Sequence, residues 1–94
     1  MKQIIDGKLY DTDTATLLAS NRYWDGHNFE RQGRNTYLYK TSKGNFFLHN
    51  TTMWEGEHDT IEVIDESAAK EMYENLYEKE VEYQEAFGVE PEEG

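Results

Sequence analysis

The chain has 94 residues, no cysteine, 36% apolar residues and a formal charge of −11. That length supports one small domain with a modest core, and the absence of cysteine excludes a disulfide framework and a thiolate zinc site. No stretch approaches the roughly 18 apolar residues of a membrane span, and the opening six residues lack a signal-peptide apolar region, so the expectation is a cytosolic protein with no membrane partner.

The segment 4–10 predicts a hairpin, because Asp6-Gly7 accepts positive φ at both central turn positions. Asp11, Thr12, Asp13 and Thr14 are all N-cap residues, and they precede Ala15, Thr16, Leu17, Leu18 and Ala19. Together they predict a short N-terminal helix. Arg22, Tyr23 and Trp24 are expected as a strand, and 26–34 as a loop. Residues 36–40 and 45–49 predict the clearest strand pair, joined by a turn with Gly44 in the left-handed position and Thr41 opposite Asn45. Leu38, Phe46 and Leu48 would share one face, and Tyr37, Tyr39, Phe47 and His49 the other. Residues 60–64 alternate as a further strand.

From Asp65 as cap, no Gly or Pro intervenes until Gly88, and Ala69, Met72, Tyr73, Leu76, Tyr83 and Phe87 recur at helical steps. This predicts one long C-terminal helix. The expected fold is α+β: a small antiparallel sheet of three to five strands packed by that helix, with a short N-terminal helix. Residues 1–88 would form the single domain and 89–94 a disordered acidic tail.

Charge is divided unevenly. Residues 1–54 hold five acids against seven Lys and Arg, a net of +2, whereas 55–94 hold fifteen acids against Lys70 and Lys79, a net of −13. On one continuous helix, Glu71, Glu74, Glu78, Glu82 and Glu85 would form a single acidic face about 21 Å long. Glu66 and Lys70 make the one pair there in the favourable Glu-to-Lys order at i,i+4, whereas Glu74/Glu78 and Glu78/Glu82 repel. Unneutralised charge works against compactness, which points to a basic partner surface such as one built to hold nucleic acid. Glu55, Glu57 and Asp59 would extend the acidic surface, and Trp54 beside them would serve as a core residue or an interface anchor.

Other constellations carry less. The order Glu55, Glu57, His58, Asp59 matches neither a calcium loop nor a zinc helix, so no metal and no cofactor are expected. Asp11 and Asp13 read as caps rather than a catalytic pair. His27 and His49 lack a nucleophile in a known catalytic order, and no phosphate loop is present, so no enzyme is expected. Arg22, Arg31, Arg34, Lys40 and Lys43, with Tyr37 and Tyr39, would be the only basis for direct nucleic-acid binding, which the −11 opposes.

Two stretches carry a resemblance: Ile5-Asp6-Gly7-Lys8-Leu9-Tyr10-Asp11-Thr12-Asp13-Thr14-Ala15 and Leu38-Tyr39-Lys40-Thr41-Ser42-Lys43-Gly44-Asn45-Phe46-Phe47-Leu48-His49. They resemble small proteins of phages and other mobile elements, a resemblance that implies genetic context rather than chemistry and spans about the first half of the chain. The sequence departs from that pattern over 50–57, so no site is transferred across it. By origin and charge the chain is similar to anti-CRISPR and anti-restriction proteins. That likeness of type, together with the acidic helix face, implies a non-catalytic inhibitor that covers a nucleic-acid-binding or PAM-reading surface of a host effector complex. The competing expectation is a phage structural or regulatory module that binds protein through exposed aromatics, its acidity serving solubility.

Overall fold

The computed structural model describes residues 1–21, 34–52, 56–76 and 78–91. The expected strand at Arg22–Trp24 and the loop after it lie outside them. The first hairpin pairs β1 (Lys2–Ile5) with β2 (Lys8–Asp11), register Ile4 to Leu9. Asp6 and Gly7 take φ of 52° and 75°, as the sequence predicts for a two-residue turn.

The next segment is a correction. Residues expected as a helix form β3 (Thr16–Ser20), antiparallel to β4 (Arg34–Lys40). Asp11 organises a turn instead of capping a helix: its Oδ1 accepts from Asp13 N–H at 2.9 Å and its carbonyl from Ala15 N–H at 3.0 Å. Five residues containing a β-branched Thr make a marginal helix, whereas pairing with β4 satisfies the backbone along its length. A bulge at Leu18 places Leu17 opposite Tyr39 and Ala19 opposite Leu38.

β4 continues into β5 (Phe46–Thr52) through the predicted turn, with Thr41 N–H donating to Asn45 O at 2.8 Å and Gly44 at φ 86°. β6 (Thr60–Ile64) follows on the outside of β5. Asp65 then caps α1 (Glu66–Asn75), its side chain accepting from Ala68 N–H at 2.8 Å.

The long C-terminal helix does not form. Leu76 is extended (φ −80°, ψ 136°), β7 (Glu78–Lys79) pairs with Ala19 and Ser20 of β3, and α2 (Tyr83–Phe87) ends at Gly88. Two bonds hold the reversal: Glu80 N–H donates to Leu18 O at 2.9 Å, and Tyr73 Oη–H to Val81 O at 2.6 Å. Breaking the helix also separates the like-charged pairs that a continuous helix would stack.

The expected helix-packed α+β class is therefore corrected. Among the described residues the chain is mostly β: a five-stranded antiparallel sheet ordered β6-β5-β4-β3-β7, a two-stranded sheet, and two short helices. The expected division of faces holds. Leu38, Phe46 and Leu48 join Leu18, Ala69, Tyr73, Leu76 and Phe87 on one side, and Phe47 joins Tyr10 and Ile61 on the other. Rings meet within both clusters. Phe46 lies 5.5 Å from Phe87, Tyr73 meets Phe87 edge-on at 5.6 Å, and Tyr39 stacks on Phe47 at 5.2 Å. Such pairs are worth about 0.5–1.5 kcal/mol each beyond their burial.

Candidate functional site

The five glutamates expected on one helical face are distributed over three elements. Glu71 and Glu74 are exposed on α1, Glu78 is half-buried in β7, and Glu82 and Glu85 are exposed at the N-cap and within α2. The single 21 Å strip is thus overturned by the break after Asn75. Glu57 and Asp59 are exposed before β6 and turned back onto the end of β5: Thr52 Oγ1 donates to Glu57 Oε1 at 2.6 Å, and Thr52 N–H to Asp59 Oδ1 at 3.0 Å. Trp54 and Glu55 lie outside the described residues.

The fold gathers acids by side of the sheet rather than by helix face. α1 and α2 pack on the same face, through Ala69, Tyr73, Ala86 and Phe87 of one cluster. Their exposed residues include Glu66, Glu71, Glu74 and Glu85, and Glu82, whose charge acts on Tyr73, adds to them. Glu80 is exposed between Lys79 and Val81, both of which face the core cluster.

The cations on this side serve the core. Lys40 Nζ donates to Ala86 O at 2.9 Å and lies 5.7 Å from the Phe46 ring centre. Lys79 Nζ donates to Leu76 O and lies 5.3 Å from the Tyr73 ring, and Lys70 pairs with Glu66 at 3.2 Å while lying 5.8 Å from the Phe87 ring. Each such contact contributes roughly 0.5–1 kcal/mol at an exposed site. The helical side therefore uses its lysines as rivets and presents carboxylates outward. A cleft of about 760 Å³ opens there between Lys70, Tyr73, Glu74, Lys79, Tyr83 and the 89–91 segment. It is mixed in charge.

Of the weaker basic constellation only part lies among the described residues. Lys40 sits on the helical face, while Tyr37 and Tyr39 sit on the other, and Arg22 and Arg31 lie outside the description. No protein-family model matches this chain, and neither a curated protein nor a solved structure does.

His49 is, with Tyr73, one of the described groups whose titration the fold shifts. It stands in one cross-strand row with Tyr37 and Ser20, its ring 6.1 Å from that of Tyr37, and its Nε2 has no hydrogen-bond partner among the described residues. Burial holds its pKa below the ordinary 6.5, against an opposing pull from Asp59. Ser20 Oγ is also buried without a partner, but Tyr37 stands between them, and two strand spacings amount to about 10 Å. That distance is too great for a nucleophile–base hydrogen bond. Among the described residues no three His, Asp or Glu side chains converge as metal ligands, and no helix is long and apolar enough to cross a membrane.

Proposed function

We propose that this chain is a non-catalytic inhibitor whose acidic helical side covers a Lys/Arg-rich surface that otherwise holds nucleic acid. The observation that carries the reading is the division of labour on that side. Lysines lie against rings and carbonyls of the core and against Glu66, while Glu71, Glu74, Glu82 and Glu85 are exposed. Outward carboxylates raise encounter rates with a basic surface and set register once docked. The charge argument specifies a surface that binds phosphate. The resemblance to small mobile-element proteins narrows the partner to a host CRISPR effector or a comparable nucleic-acid-holding complex, in the host cytosol.

The test is capture of such complexes by the tagged chain, with and without competing duplex DNA, beside a variant carrying Glu71→Lys, Glu74→Lys and Glu85→Lys. All three positions are exposed on helices, so the variant should keep its helical circular dichroism. DNA should displace the captured complex, and the variant should capture none. Capture indifferent to both DNA and charge reversal would sink this reading and favour an aromatic docking surface.

A further inference from the structure

The five-stranded sheet ends in two unlike edges. β7 is two residues long, whereas β6 presents five, Thr60 to Ile64, or roughly 17 Å of strand. The phase of the ladder is set by Thr41 N–H donating to Asn45 O. Odd-numbered residues of β5 therefore bond to β4, and Phe46, Leu48 and Asn50 bond to β6. Opposite them stand Ile64, Glu62 and Thr60. Ile61 and Val63 consequently turn their N–H and C=O groups out of the sheet. Among the described residues no strand pairs with that edge.

Exposed edges are usually blunted by charged side chains, above all lysine, or by proline or a bulge. β6 reads Thr-Ile-Glu-Val-Ile and pairs with β5 without a register shift, so Glu62 is its only such device and it excludes acidic rather than basic strands. Val63 is 41% exposed beside it. Charge decides what the edge can accept. Between residues 44 and 69 the chain has no Lys or Arg, and Asp59, Glu62, Asp65 and Glu66 lie on or next to the strand. A second copy added antiparallel would bring Glu62 and its acidic neighbours against their own images, and like charges across a strand pair repel.

We propose that the β6 edge accepts an extended segment of a partner protein as a sixth strand. That segment alternates Lys or Arg with Val, Ile or a similar apolar residue. Its backbone bonds to Ile61 and Val63, its basic side chains lie beside Glu62 on the helical face, and its apolar ones lie beside Val63 on the other. This is strand addition, in which main-chain bonds give affinity and alternate side chains give specificity. It does not rest on the function proposed above, since Glu71, Glu74 and Glu85 contribute nothing to the edge.

The probe is a capped peptide of alternating lysine and valine, titrated into the full chain and followed by amide NMR and hydrogen exchange. The amides of Ile61 and Val63 should gain protection. The same peptide N-methylated on the amides that face the protein should bind at least about tenfold more weakly, as loss of main-chain bonds requires. Glu62→Lys, at an exposed position, should also weaken binding several-fold, whereas charge reversal at Glu71, Glu74 and Glu85 should leave the protection pattern intact. Absence of binding, binding that leaves Ile61 and Val63 unprotected, equal affinity for the N-methylated peptide, or a peptide-free dimer that protects these same amides would each overturn the proposal. The N-methylated comparison uses the unaltered chain, so the outcome does not depend on a variant folding.

Discussion

Tyr73 ties the two short helices to the strand between them. Its hydroxyl donates to Val81 O at 2.6 Å, its ring meets Tyr83 and Phe87 edge-on, and Lys79 lies over its face. Burial, and then the charge of Glu82, pushes its pKa up. Tyr73→Phe keeps the packing and removes the bond that holds the reversal. It should lower stability by about 0.5–1.5 kcal/mol in urea unfolding, the usual net worth of one intramolecular hydrogen bond. An unchanged midpoint would mean that water replaces the hydroxyl at Val81. His49 carries the pH dependence at this scale. The unfolded chain binds a proton near 6.5, and the folded chain only at lower pH. The stability tied to neutral His49 is thus complete above that value and is lost as pH falls from it toward the folded pKa. The stability difference between the wild type and His49→Gln should slope with pH below 6.5 and flatten above it. A difference with no slope there would show that the imidazole protonates freely in the fold.

At the scale of elements, the two helix predictions failed for one physical reason. Leu17, Leu18 and Ala19 form an apolar run that breaks strand alternation, so it reads as helical. The bulge in β3 absorbs the extra residue and lets Leu18 and Ala19 enter the same core. Likewise the run from Glu66 to Phe87 has continuous helical spacing, yet the edge of β3 was open and residues 78–80 pair with it. Neither pairing is local, so periodicity within a window could not detect it. The terminator was legible: Gly88 sits at φ 76° and its N–H donates to Gln84 O at 2.7 Å. Gly88→Ala adds a Cβ that meets nothing within 4 Å, so its effect is purely conformational. It should destabilise by about 1 kcal/mol in denaturant unfolding. A much larger loss would point to packing that the Cβ disturbs indirectly.

At the scale of the whole molecule, 20 acids against nine Lys and Arg leave a net charge of −11. On the helical side only Lys70 pairs with an exposed carboxylate, Glu66, so the remaining exposed carboxylates repel one another through solvent among the described residues. Salt should therefore stabilise the fold. Tm should rise as ionic strength increases from about 0.01 M to 0.15 M, where the screening length falls from roughly 30 Å to 8 Å. A Tm that falls over that range would mean that attractive pairs outweigh the repulsion. The same screening should weaken capture of a basic partner, so stability and binding should move in opposite directions with salt.

Short-range chemistry was readable from the residues alone. The Asp6-Gly7 turn, the three-residue loop ending at Gly44, the Asp65 cap, the Gly88 stop and the sorting of Leu38, Phe46 and Leu48 from Phe47 all follow from positive φ, capping geometry and strand alternation. These depend on neighbours a few positions away. The concentration of acid after residue 54 was equally plain, but its shape was not. Glu71 and Glu85 share a side because two helices pack on one face of the sheet, and Glu78 leaves the helix because β3 needs a partner. Only the tertiary structure could decide this. A backbone hydrogen bond between residues some sixty positions apart outweighs the small intrinsic preference of a charged, self-repelling segment to stay helical.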